Sequence, residues 1–594
     1  MFTIPSKDTK RFSQPNYGDT QGNLWGTFNV DLTKNTGRVR ATRTETVFSE
    51  SDDADFGLPV AFAYFGVTSA SDPVFVAYAD RIFIGGDDPI ATTWTQDTIT
   101  NSPNDSGSVG DMVVFNGKLY ATEPAKLKRL SSGGTSWSDR ATITSGGSHQ
   151  LCNYGKRLYF VDQRLKVHSL DTAETVVTSG DYTLDLSYFG GNISWMVGGS
   201  NRIWIGVTAN DGGRGMIFEW DGVSVNAPNK FYTIEAQGSA GCAIWNDVPY
   251  VMDIEGRLLA FNGSSFEEVA RLPIMQYDVL NRAYATSDSK KICHFNGIKY
   301  INDAILIAIN NETTGGIYGG EENYPSGIYE YTKENGLTHK FSPSLTVINE
   351  ATSDYGQHTV NEIGAIFDAS VRRSNATNNF ASVMFGVDIE GADGSNINSI
   401  NIDVIEERTN DPEHKRLGYI ITPFLESSRV TQVWQKIILK YRKMLDTTDK
   451  ILVKYRTTKD IPITVQNVVY DSDTQFTATS FTGVEVGMEA EILNGNGAGA
   501  VAHVTAITDN GSDFTITLDN SIIGVTAGDI SDVRFQKWNQ LPEITANDFQ
   551  FTDLPVPQYN KDTEMQFKIV MNWNKLQNEL REVIVVNETD QYAK

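Results

Sequence analysis

The stretch MVVFNGKLYAT, Met112 to Thr122, decides how this chain is read. Apolar residues lead into Asn116-Gly117, a lysine follows, and an aromatic, Tyr120, arrives three residues past the glycine. Asn-Gly supplies the positive φ that a two-residue primed turn demands, and the flanks are β-branched or aromatic, so the segment predicts a β-hairpin. The pattern recurs. FVAYADRIFIG at Phe75, LCNYGKRLYFV at Leu151, MVGGSNRIWIG at Met196, AIWNDVPYVM at Ala243 and CHFNGIKYIN at Cys293 align with it on the turn. The turn positions Asp80, Gly117, Lys156, Asn201, Asp247 and Gly297 lie 37, 39, 45, 46 and 50 residues apart. Each is followed three residues on by an aromatic: Phe83, Tyr120, Tyr159, Trp204, Tyr250 and Tyr300.

A weaker second hairpin follows within most units, as in LKRLSSGGTSWSD and MIFEWDGVSVN. Two hairpins make a four-stranded antiparallel sheet too small to bury its own faces, so such sheets are expected to stack around an axis as a β-propeller of six to seven blades. The seventh unit is expected at 362–391. The repeated aromatics are expected to fill the contacts between blades rather than to line a ligand groove. A strand-like segment at 26–48 either joins the last blade or reaches a neighbouring copy. No WD dipeptide recurs, and SSGGTSW at 131–137 lacks the aspartate of a sialidase Asp box.

Past residue 400 the texture changes. KIILKYRKM and KILVKYR within 418–456, then EMQFKIVMNWNK at 564–575 and LREVIVVNE at 580–588, alternate like sandwich strands. The Gly-rich run of short strands in 464–538 reads as a small barrel inserted into them. The expected organisation is an all-β chain: an N-terminal arm at 1–57, a propeller at 58–400, a β-sandwich split between 401–463 and 539–594, and the inserted β-barrel at 464–538.

Composition narrows the function. Aromatics at 11% and apolar residues at 40% suffice for sizeable cores. A net charge of −25 argues against a broad grip on phosphate backbones or anionic membranes. Cys152, Cys242 and Cys293 are too few and too scattered for a disulfide framework or a thiolate metal site. MFTIPSKDTKRFSQPNYGDT has no apolar signal region, and no run approaches a membrane span, so neither secretion nor stable membrane insertion is expected.

NVDLTKNTGRVRATR (29–43), the degenerate propeller repeat and the trailing GYIITPFLES, VWQKIILKYR and KILVKYR together resemble the propeller-bearing virion proteins of tailed bacteriophages, in particular tail nozzle and tail-tip proteins. The resemblance implies a non-enzymatic structural virion protein, made in the host cytoplasm and placed in the tail. It implies an oligomeric ring of identical copies that touches tail tube, adaptor or fibre proteins and forms part of the genome-ejection channel, DNA passing without specific binding. It implies no cofactor. Two other readings stay open: a receptor-binding tail protein holding host glycans on aromatic platforms such as Trp94, Trp137 or Trp220, and a propeller glycosidase.

No motif rises to a catalytic constellation. GNGAGA (495–500) lacks the helix and Lys-Ser/Thr of a phosphate cradle. DIEGADGSN (388–396) and DSD (471–473) lack the closing glutamate of a calcium loop. The histidines at 149, 168, 294, 339, 358, 414 and 503 have no short metal-ligand spacing, and His294 is expected to be a packed, hydrogen-bonded residue. Basic residues group at KLKRL (126–130), VRRS (371–374) and KIILKYRK (436–443), as solvated strand faces or as patches docking acidic neighbours in a ring.

Overall fold

The computed structural model describes most residues from 58 to 589, with its longer gaps at 273–292, 311–326, 342–359, 370–381 and 402–416. Ahead of these it describes only short strands at 2–4, 26–28, 30–31, 40–41 and 46–50. Among the described residues the chain is all-β, with no α-helix.

Seven four-stranded antiparallel sheets follow one another, and in the first six the strand order is the chain order. The second is representative: Met112–Phe115, Lys118–Glu123, Lys126–Ser131 and Ser138–Thr142. The innermost strands of the first to seventh sheets begin at Ala61, Met112, Leu151, Asn192, Ser239, Ile298 and Val360. Each packs against the next, and the last packs against the first, so the ring closes as in a β-propeller.

Closure is apolar and local. A separate buried cluster sits at each of the seven boundaries between neighbouring sheets. A four-stranded sheet presents two apolar faces, and a ring of such sheets covers both without leaving an open end. The seventh sheet takes its outermost strand, Thr46–Glu50, from the N-terminal region, where it pairs with Ser395–Asn401. Of the two alternatives for the segment at 26–48, its last strand joins the final sheet.

The primed-turn chemistry is visible in the backbone. Asn116 and Gly117 have φ of 48° and 69°, Asn246 and Asp247 50° and 63°, and Asn302 and Asp303 52° and 61°. These are the paired left-handed values of a type I′ hairpin, which matches the right-handed twist of its strands.

Past the ring, two sheets share one apolar cluster that includes Ile437, Val453, Phe567, Ile569 and Val583. Their orders interleave distant segments. Phe2–Ile4 lies on the edge beside Leu580–Thr589, and Gly26–Phe28 lies beside Leu417–Ile421. The described strands of the N-terminal region thus pair with both C-terminal sheets and with the seventh sheet. Between Lys450–Thr457 and Asn539–Gln540 of one sheet, six strands from Ile463 to Gln536 close into a barrel with its own core around Tyr470, Phe476, Ile516 and Phe535.

Candidate functional site

The axis of the ring carries the densest constellation that sequence reading missed. Asp111 stands one residue ahead of the second sheet's inner strand, and Asn296 stands two residues ahead of the sixth sheet's. The Asn296 amide donates to Asp111 Oδ1 at 2.9 Å and to the Val60 carbonyl of the first sheet at 3.1 Å. The other carboxylate oxygen of Asp111 accepts from the Leu151 amide of the third sheet at 2.8 Å. The Asn296 carbonyl accepts from Ile366 of the seventh sheet at 2.9 Å. Five sheets therefore meet on two residues, the last through the Asn296 main chain, and the Asp111–Asn296 bridge joins sheets that are not neighbours, across the axis.

Lys299 Nζ approaches the Asn296 carbonyl oxygen of the side chain at 3.4 Å. Burial pulls the Lys299 ammonium below its usual range, with the Asp111 carboxylate opposing. Burial pushes Asp111 upward, against hydrogen bonds from Leu151, Asn296 and Met112. In a low-dielectric centre each group is held by the other's presence.

Glycine permits this approach. A Cβ on Gly364 would lie 2.2 Å from the Pro59 carbonyl oxygen, and one on Gly198 would lie 2.5 Å from that of Asn153. Both obstacles are backbone, so neither yields to a rotamer change. At the level of Asp111 and Asn296 the axis is crossed by side chains.

The repeat aromatics fall into two groups. Phe83, Tyr120, Tyr159, Trp204 and Tyr250 are buried in clusters that mix residues of adjacent sheets. Ring contacts cross three of these boundaries: Tyr159 to Trp220 at 5.3 Å, Trp204 to Phe261 at 5.1 Å and Tyr250 to Tyr331 at 5.8 Å. Tyr300 differs, being 36% exposed and stacked on Trp245. It lies on an innermost strand, because the sixth hairpin turns at Asn302-Asp303 and not at Gly297. The residue three places past that turn is the buried Leu306. In the first sheet Phe83 lies on the third strand, paired with Ala77 of the second. The first and sixth copies of the motif are thus out of phase with the other four. Asp80 itself lies outside the described residues.

Trp94, Trp137 and Trp220 cannot serve as exposed sugar platforms, because all three are buried. The indole N–H of Trp137 donates to Asp97 at 2.9 Å, and that of Trp220 donates to the Ser224 carbonyl at 2.9 Å. Among the described residues the most exposed aromatics lie elsewhere: Tyr188 at 95% and Phe231 at 52%, with Phe189 between them, and Phe551 at 50%.

Of the histidines, His149 bonds the Val161 carbonyl at 3.0 Å, and His168 faces Asp162 at 3.4 Å with its imidazole pulled down by burial. His294 is buried against Phe295, and His339 sits edge-on to Tyr329. His358 and His414 lie outside the described residues, as do GNGAGA, VRRS and the middle of DIEGADGSN. Asp473 opens the turn after a barrel strand, and its main-chain carbonyl accepts from the Ile522 amide at 2.7 Å. Among the described residues no group of three His, Cys, Asp or Glu side chains is placed to hold a metal ion. The three cysteines are free and buried, and burial raises their thiols, Cys152 to about 12.

Two charged assemblies complete the picture. At the boundary of the second and third sheets, Glu174 accepts from Arg129 at 2.7 Å, meets Arg140 at 3.2 Å and pairs with Lys118. Burial alone would raise its carboxyl, but these cations hold it at about 2. Where the barrel meets the C-terminal sheets, Glu489 pairs with Lys568 at 3.0 Å and Lys454 at 3.6 Å, all three buried. Arg456 bridges Gln566 and Gln536 there, at 2.7 and 2.9 Å, beneath the Trp538 ring.

No protein-family model matches the chain, and no curated protein matches it. Solved structures with a similar course include the extracellular domain of the hybrid two-component system BT4673 from B. thetaiotaomicron (11% identity, 64% of this chain and 45% of that one, TM-score 0.39). They also include BamB from Moraxella catarrhalis (11%, 59% and 99%, TM-score 0.30) and the N-terminal domain of Nup159 (12%, 60% and 99%, TM-score 0.33). No helix among the described residues is long and apolar enough to cross a membrane.

Proposed function

We propose that this chain is a non-enzymatic structural protein of a bacteriophage tail, assembling as an oligomeric ring of the nozzle or tail-tip kind. In this reading the seven sheets are a seven-bladed propeller, the two C-terminal sheets are a split sandwich, and the barrel is an inserted contact module. The observation that carries the reading is the stitching of the molecule. Strands at 2–4, 26–28 and 46–50 tie both C-terminal sheets and the seventh sheet together, while Asp111 and Asn296 lock the axis. That construction spreads load through the whole body and crosses the axis with side chains.

The bridge across the axis also supports a genome path outside the ring of sheets. A duplex cannot thread a ring whose opposite sheets share hydrogen bonds, so the channel lies between copies. A chain of net charge −25 lining that channel would repel phosphate and let DNA slide. Electron microscopy of the purified full chain tests the proposal. Closed rings with an opening wide enough for a duplex are expected, and single copies at every concentration would overturn it.

The glycan-binding alternative draws on one observation, the exposed pair Tyr188 and Phe231 flanking Phe189. A glycan array separates the two readings, since a nozzle should bind no sugar selectively.

A further inference from the structure

We propose that this chain cross-links itself at the axis: the Lys299 amine displaces ammonia from the Asn296 side-chain amide and leaves an isopeptide bond, with Asp111 carrying the proton. The tail reading is not needed for it. An amine, a carboxamide and a carboxyl meet at one point. Lys299 Nζ lies 3.4 Å from Asn296 Oδ1, and Asp111 Oδ1 accepts at 2.9 Å from Asn296 Nδ2, the atom that would leave. The Val60 carbonyl accepts from that same nitrogen at 3.1 Å, so the carboxamide is held from two sides beside the lysine.

The surroundings favour the reactive forms. An amine attacks only when neutral, and burial favours the neutral amine of Lys299 as it favours the protonated carboxyl of Asp111. The Nζ lone pair forms a bond to Asn296 Cγ while the carbonyl π pair moves onto Oδ1. Asp111 gives its proton to Nδ2, the carbonyl re-forms, and the Cγ–Nδ2 bond breaks to release ammonia. The attacking nitrogen then returns a proton to Asp111, so the carboxyl is regenerated and nothing is oxidised or reduced. A lysine that would be costly to hold charged in the interior becomes a neutral amide. Asn296 and Lys299 are only partly buried, which leaves room for the ammonia.

One competing nucleophile is restrained. Asn296 precedes Gly297, whose backbone nitrogen could attack the same carbon and close a succinimide. That nitrogen is committed to a hydrogen bond, donating to the His294 carbonyl at 2.8 Å.

Mass spectrometry of the full chain tests the cross-link. The intact mass should fall short of the sequence mass by one ammonia. Trypsin should fail to cut after Lys299, so that residues 292–333 are recovered as one peptide carrying the same loss. Lys299→Arg and Asp111→Asn, each shown to be folded by its thermal melt, should keep the full mass. Folded wild type of full mass that is cut after Lys299 would overturn the proposal. An ammonia loss that persists in Lys299→Arg would do the same, since it assigns a succinimide at Asn296-Gly297. Cross-linking as complete in Asp111→Asn as in wild type would overturn the role given to Asp111.

Discussion

The joints within the ring and the joint that holds the barrel are built from opposite materials. Each boundary between ring sheets has an apolar cluster, most with a repeated aromatic in it, and at the boundary of the second and third sheets a charged cluster around Glu174 stands beside it. The barrel is fastened by buried charge, Glu489 between Lys568 and Lys454, with Arg456 reaching two glutamines. Apolar contact is non-directional and suits a ring in which each sheet's position follows from its neighbours. A barrel inserted through two chain crossings has no such neighbours to orient it. A hydrogen-bonded ionic network accepts only one arrangement, and its role here is orientation more than stability.

Truncation separates the two kinds of joint. Trp204→Ala should remove the centre of the boundary between the fourth and fifth sheets and cost about 4 kcal/mol, read from the midpoint of urea unfolding. Glu489→Gln should cost about 3 kcal/mol by leaving Lys568 and Lys454 without their carboxylate. Its distinguishing effect is local: the barrel should become sensitive to limited proteolysis at its junction while the ring keeps its melting profile. Equal loss of both would mean that the network supports the whole fold and not an orientation.

Glu174→Gln comes next. The folded carboxyl sits at about 2 against its ordinary 4.5, so the native state binds fewer protons than the unfolded one. The stabilisation is therefore complete above about pH 4.5 and lost as pH falls towards 2. The substitution should cost about 2 kcal/mol at neutral pH, less than the full shift implies because the side chain is partly solvated, and nothing near pH 2. Melting curves of both proteins across that window check it. A difference independent of pH would mean that shape, not charge, holds the second and third sheets together. Tyr300→Ala should cost least, about 1 kcal/mol, since the ring is only partly covered by Trp245.

The contrast between Trp204 and Tyr300 also marks what sequence could reveal. Four of the six motif copies share one phase because Asn-Gly, Gly-Lys, Ser-Asn and Asn-Asp sit between strands that the alternation makes plain. In the sixth, Phe295-Asn296-Gly297 imitates the turn signature, yet the true turn is Asn302-Asp303, followed by Leu306 rather than an aromatic. Asn296 serves the axis instead. Its partner Asp111 is 185 residues away, and nothing local announces their meeting beyond a polar residue just ahead of an inner strand. The Glu489–Lys568 pair spans 79 residues and was equally silent. Turn chemistry and alternation are local and legible, whereas polar pairs that cross a fold are set by closure. The N-terminal strands belong to the second class, because a three-residue edge such as Phe2–Ile4 has no pattern of its own.

Closure of the ring by the N-terminal region is the claim on which the rest depends, and a designed disulfide tests it most directly. Val47 and Asn398 are register partners in the seventh sheet, and the native cysteines are buried. The variant Val47→Cys with Asn398→Cys should form an intrachain bridge under mild oxidation and should raise the melting temperature. Bridges between chains, or no bridge in a folded protein, would contradict the account.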